Sequence, residues 1–172
     1  MPYGMFHAID ENIAQKLMEK CKSEIVDYVM AEINELFWEE HKDQVVEMES
    51  AWDSVHKVFS EGSMDYYDPT KGTYPSNFII FGGKVLFGNK DSEHDAYMTL
   101  KKPSEVKDIC SFLSNLTESE FRALYFEILK NKQGFDVSEQ DFKWIWEELN
   151  GTVEFWKNAS KKNLWVIFTV EH

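Results

Sequence analysis

Apolar positions along this chain recur mostly in steps of three and four, with short continuous apolar runs at the two ends. The run from Tyr3 to Ile9 reads as a strand, with Phe6 and Ala8 on one face and Met5, His7 and Ile9 on the other. Asp10 then opens a helix that carries Ile13 and Leu17 four residues apart. Ser23 can cap a second helix from Glu24 to about His41, where Ile25, Val29, Ile33 and Leu36 form the apolar stripe. Val45, Met48, Trp52, Val55 and Phe59 predict a third helix over Gln44 to Ser60, stopped by Gly62. Residues 61–76 hold Gly, Asp-Pro and Tyr-Pro and predict a long surface loop. Phe78–Phe81, Gly82-Gly83 and Lys84–Phe87 fit either a tight hairpin or a short buried helical turn ended by Gly82.

Tyr97–Leu100 reads as a strand that leads to Pro103, a favourable first helical position. Val106, Ile109, Cys110 and Leu113 face that helix inward. Thr117-Glu118-Ser119-Glu120 is a capping box for the next helix, whose apolar face is Phe121, Leu124, Tyr125 and Ile128. Ser138–Asp141 repeats the device before a helix through Phe142, Ile145, Leu149, Val153 and Trp156, with a kink at Asn150-Gly151. Leu164–Val170 is almost continuously apolar and predicts a central strand buried on both faces. These pieces predict one α+β domain over residues 1–172. Its core is a small mixed sheet that includes the N- and C-terminal strands as neighbours, covered by five or six helices.

Composition narrows the partners. Eighteen basic against 31 acidic groups leave a net charge of −13, which repels nucleic-acid phosphate and anionic lipid and attracts a basic protein. No apolar run approaches the ~20 residues of a membrane helix, and no leader pattern opens the chain. Cys21 and Cys110 lie far from any His or Cys at metal-ligand spacing, so a reducing cytosol is expected and no metal or cofactor is implied.

Candidate chemistry is sparse. Glu49, Asp53 and His56 fall four and three apart on the predicted third helix, so their side chains can share one flank. The two carboxylates would then favour a protonated imidazole at the margin of the core. Trp52 beside them, with Tyr66, Tyr67 and Tyr74 in the long loop, could wall a ligand pocket. Glu24, Glu32, Glu35 and Glu39 on the second helix form an acidic stripe suited to a basic partner. Gly82-Gly83-Lys84 lacks the rest of a phosphate loop, and no nucleophile elbow or dinucleotide fingerprint is present.

Several segments together resemble the YfbM-like bacterial family, a domain of unknown function. They are Gly4-Met5-Phe6-His7-Ala8-Ile9-Asp10, Trp52-Asp53-Ser54-Val55-His56 before Gly62, Phe81-Gly82-Gly83, and Met98-Thr99-Leu100 before Pro103-Ser104-Glu105-Val106. The resemblance implies a compact α+β fold and bacterial cytosolic residence, and it carries no reaction. With that, the expected function is a non-enzymatic acidic protein-binding module, of inhibitor or immunity type. The alternative is a small-molecule binder or enzyme with its pocket at Trp52, Asp53 and His56.

Overall fold

The computed structural model describes residues 3–33, 41–63, 71–88, 96–130 and 137–171. Strands β1 (Gly4–Ile9), β2 (Val45–Glu47), β3 (Lys84–Phe87), β4 (Ala96–Lys101) and β5 (Trp165–Glu171) form one sheet in the order β2-β1-β5-β4-β3. The terminal strands pair along their whole length, from Gly4 opposite Val170 to Ile9 opposite Trp165, and β5 is the central strand. Every pairing is antiparallel, where a mixed sheet was expected.

Alternation along β5 divides the interior in two. Val166, Phe168 and Val170 point into a large core with Phe6 and Ala8 of β1, whereas Ile167 points with Ile9, Met98 and Leu100 into a smaller one. Helices α1 (Glu11–Glu19) and α2 (Lys22–Asp27) seal the smaller core through Ala14, Leu17 and Ile25. The large core is closed by α3 (Ala51–Phe59), α4 (Pro103–Asn115), α5 (Glu118–Leu129), α6 (Glu139–Gly151) and α7 (Val153–Lys161).

Local chemistry accounts for three helix starts. Asp10 accepts from the Ile13 N–H at 2.9 Å, the Thr117–Glu120 capping box forms, and Ser138 accepts from Asp141 N–H. At the expected kink, α6 stops at Gly151, the Thr152 hydroxyl donates to the Leu149 carbonyl at 2.7 Å, and α7 starts at Val153.

Three expectations fail for identifiable reasons. Cys21, not Ser23, is the N-cap of α2, because the chain turns helical one residue before Ser23. The helix then widens into a π-helical stretch over Tyr28–Ile33, and Lys42–Gln44 is a 3-10 turn; the rest of the expected helix, residues 34–40 with Leu36, lies outside the described residues. Second, the predicted third helix begins only at Ala51. Val45 and Val46 are β-branched and lie beside the open edge of β1, where pairing satisfies their backbone. Met48 N–H donates to the Gly4 carbonyl, Gly4 N–H donates to Glu49, and Glu49 turns the chain at φ 39°. Third, the hairpin alternative is wrong. Ser76–Phe78 is a 3-10 turn, and a Cβ on Gly82 would lie 2.3 Å from Phe78 Cα, so the segment coils on itself before β3 pairs with β4.

Candidate functional site

Helix α3 carries the Trp52, Asp53 and His56 segment, and its sequence decides which way each side chain goes. Trp52, Val55 and Phe59 follow the apolar stripe inward, and Trp52 is only 2% exposed. Its indole meets Phe81 edge-on at 5.6 Å and lies 6.2 Å from Phe168. Gly4 makes the room, because a Cβ there would approach Trp52 Cδ1 to 2.6 Å. The tryptophan is therefore core, not the wall of a pocket.

His56 sits in the same core. It is 3% exposed, and its ring meets Phe81 edge-on at 4.8 Å. The expected position at the margin is corrected by the 76–82 segment, which lays Phe81 over the flank that helical periodicity alone leaves to solvent. Burial lowers the imidazole pKa to about 4, against the opposing pull of Asp53, and Lys57 lowers it further. The ring is neutral near pH 7, contrary to the protonated state expected from its carboxylate neighbours. Asp53 forms a 2.5 Å ion pair with Lys57, one helical turn away. That contact was legible as an i,i+4 pair of opposite charge. Glu49 is exposed in the turn before α3 and is not on the helix at all. The proposed flank of three acid/base groups therefore does not assemble.

The low imidazole pKa has a thermodynamic consequence. The unfolded chain takes up a proton near pH 6.5 and the folded chain only near pH 4, so stability falls as pH drops through that window. At 1.36 kcal/mol per unit the loss reaches about 3 kcal/mol. Urea unfolding across this range should show a steeper decline for the native chain than for His56→Leu; parallel curves would mean the imidazole is not buried.

A recess lies elsewhere, over α4 and α5. Asp108, Ser111, Phe112 and Asn115 are spaced by three, one and three along α4, and Glu120, Ala123 and Leu124 by three and one along α5, so each helix contributes one face. Leu116 lies at the elbow between the helices, and Tyr74 with Pro75 forms the third wall. The groove has a volume of about 930 Å³. Leu124, expected on the buried face of its helix, is 36% exposed here, while Phe121, Tyr125 and Leu129 take the core positions.

Tyr74 is the one loop tyrosine within the described residues; Tyr66 and Tyr67 lie outside them. It donates from its hydroxyl to Asp108 Oδ2 at 2.6 Å and stacks edge-on against Phe78 at 5.0 Å. Desolvation, then the bond to Asp108 and the charges of Asp108 and Glu105, push its phenol up to about 12, so it stays a donor. Glu120 accepts from both the hydroxyl and the N–H of Thr117, which holds its carboxyl below the usual range and keeps it charged. The groove thus has an apolar floor and two fixed anions on its sides. Tyr74 and both helices are legible in the sequence, but the α4 and α5 faces that line the groove are not among the expected site residues, although the i, i+3, i+4 spacing of Asp108, Ser111 and Phe112 outside the core stripe was a signal.

Of the acidic stripe, Glu24 and Glu32 are exposed on the α2 side of the sheet, and Glu35 and Glu39 lie outside the described residues. No cluster of three metal-ligating side chains and no helix long and apolar enough to cross a membrane occurs among the described residues.

Comparison with known proteins agrees with the fold. The model of a domain of unknown function, DUF1877, matches residues 2–169. The chain belongs to the DUF1877 family. It is also similar to a crystal structure of YfbM, a protein of unknown function from Escherichia coli, with a TM-score of 0.65 and 16% identity over 98% of this chain and 99% of that one. At that identity the likeness shows a shared fold alone. No curated protein matches the sequence.

Proposed function

We propose that this DUF1877 member is a non-enzymatic, acidic protein-binding module that docks a basic partner in the groove between α4 and α5. The observation that carries this reading is the groove itself: an open apolar floor with Leu124 exposed, flanked by the charged carboxylates of Asp108 and Glu120. Apolar anchors set in a charged rim are what a docking site needs, since charge steers encounter and desolvated anchors hold the complex. The net charge of −13 favours a cationic partner and disfavours nucleic acid or anionic lipid. The alternative, an acid/base site at His56, loses support because that ring is enclosed by the core and neutral. The Glu24 and Glu32 surface offers charge on the far side of the sheet and serves as the comparison. Cys21 and Cys110 are free thiols, in keeping with action in a reducing cytosol.

A benzophenone side chain at position 124 tests the reading in living cells. Irradiation should give a discrete protein adduct that disappears when Asp108 and Glu120 are both changed to Lys. The same probe at Glu24 should give none. Adducts from position 24 alone, or adducts indifferent to the two charge reversals, would overturn the groove as the docking site.

A further inference from the structure

We infer that the segment seated in this groove is a basic amphipathic α-helix of the partner protein. The inference rests on the reading of the groove as a docking site, and it specifies the secondary structure and charge of what docks there.

The walls decide the secondary structure. Both long sides are helix faces: Asp108, Ser111 and Phe112 on α4 and Ala123 and Leu124 on α5 stand on helical backbone that bonds within its own helix, and at the elbow the Glu120 N–H is taken by the Thr117 hydroxyl. Among the described residues no sheet edge borders the groove, since its lining comes from two helices, the Leu116 elbow and the Tyr74-Pro75 segment. An extended segment laid there would bring unpaired backbone groups against Phe112, Leu116 and Leu124 and find no ladder to join. A helix brings its backbone already satisfied and presents only side chains. Lining residues at i, i+3 and i+4 on both walls also offer the ridges into which the apolar stripe of a third helix packs. Helix α4 has 13 residues, so a partner helix of about four turns would span it.

Charge decides the polar face. Asp108 spends one carboxylate oxygen on Tyr74 and keeps the other, and Glu105 lies close enough to act on the same phenol. Glu120 is pinned by Thr117 on the opposite wall. Anions on both sides of an apolar floor match a helix with Lys or Arg flanking its apolar stripe. A second copy of this chain, at −13, meets like charge there.

Fluorescein-labelled peptides of about 14 residues, all with one Leu stripe and with Lys, Gln or Glu at the remaining positions, test this by anisotropy. The Lys peptide should bind about tenfold or more tighter than the Gln peptide at low salt, and the Glu peptide should not bind. Binding should weaken about tenfold in Leu124→Lys, an exposed position where folding is not at risk, and persist in Glu24→Lys/Glu32→Lys. Equal binding of Lys and Gln peptides, lost in Leu124→Lys, would overturn the basic partner while leaving the docking groove standing. A Lys peptide interrupted by Pro that binds equally well would overturn the helix. Lys-peptide binding indifferent to Leu124→Lys would overturn both the inference and the groove. Failure of every peptide, or self-association of the chain abolished by Leu124→Lys, would overturn the inference, with the benzophenone adduct deciding the groove separately.

Discussion

Lys101→Met should raise stability near neutral pH and abolish a strong rise in stability that the native chain shows toward alkaline pH. Lys101 closes β4 with its side chain in the large core, fully buried, its ammonium 5.9 Å from the Phe168 ring centroid. Its Nζ donates to the Ile80 carbonyl at 2.8 Å and to Thr99 Oγ1 at 3.0 Å, and no carboxylate pairs with it among the described residues. Burial lowers its pKa to about 7, only partly opposed by Glu105. The sign follows from proton counts. Between the folded value near 7 and the unfolded value near 10.5, the unfolded chain holds the extra proton, so deprotonation by rising pH favours the folded state. From about pH 7 to about pH 9.5 this amounts to ~3 kcal/mol, and Tyr74, with its phenol raised, does not interfere below that limit. In the Met variant the Ile80 carbonyl keeps the Thr99 hydroxyl at 3.0 Å, so no buried acceptor is orphaned. Denaturant unfolding of both chains at the two pH values is the measurement. A native chain no more stable at the higher pH, or a variant that tracks it in parallel, would refute the buried lysine as the cause.

Trp52→Ala should cost about 3–5 kcal/mol, the usual range for deleting a fully enclosed tryptophan. The indole is held by Phe81 at 5.6 Å and by Phe168 at 6.2 Å, and Gly4 has no side chain with which to fill the space it would leave. The neighbours belong to α3, the 76–82 segment, β1 and β5, so collapse into the void would require moving the sheet against a helix. Thermal unfolding should show a large fall in melting temperature, while Leu124→Lys, at the exposed groove, should change it little. A mild effect at Trp52, within about 1 kcal/mol, would mean that the side chain faces solvent and that its ligand-wall role deserves revival.

The contrast between Trp52 and Leu124 shows where sequence periodicity stops being informative. Both sit on stripes that read as core, and both are apolar. Trp52 is buried because Gly4, Phe81 and Phe168, remote in sequence, converge on it. Leu124 is exposed because α4 leaves the elbow at Leu116 in a different direction and does not lie along that face of α5. His56 makes the same point with a polar group: its spacing from Asp53 was correct, but Phe81 covers it and Lys57 takes the carboxylate. The 45–50 stretch failed differently, because its apolar spacing suited a helix while the open edge of β1 offered Val45 and Val46 backbone partners.

What the sequence by itself determined is the set of locally encoded features. These are both terminal strands, the caps at Asp10, Thr117 and Ser138, the Pro103 helix start, the break near Gly151, the membership of one α+β domain family and the acidic surface. The strands, caps and breaks depend on residues within about one or two helical turns, the family on short segments spread along the chain, and the charge on simple totals. Only the tertiary structure decided that the histidine is enclosed, that a lysine lies in the core, and that α4 and α5 diverge to leave an anionic groove beneath Tyr74. Those outcomes depend on which distant surfaces meet, and burial and dielectric, which set both packing and charge state, exist only once they have met.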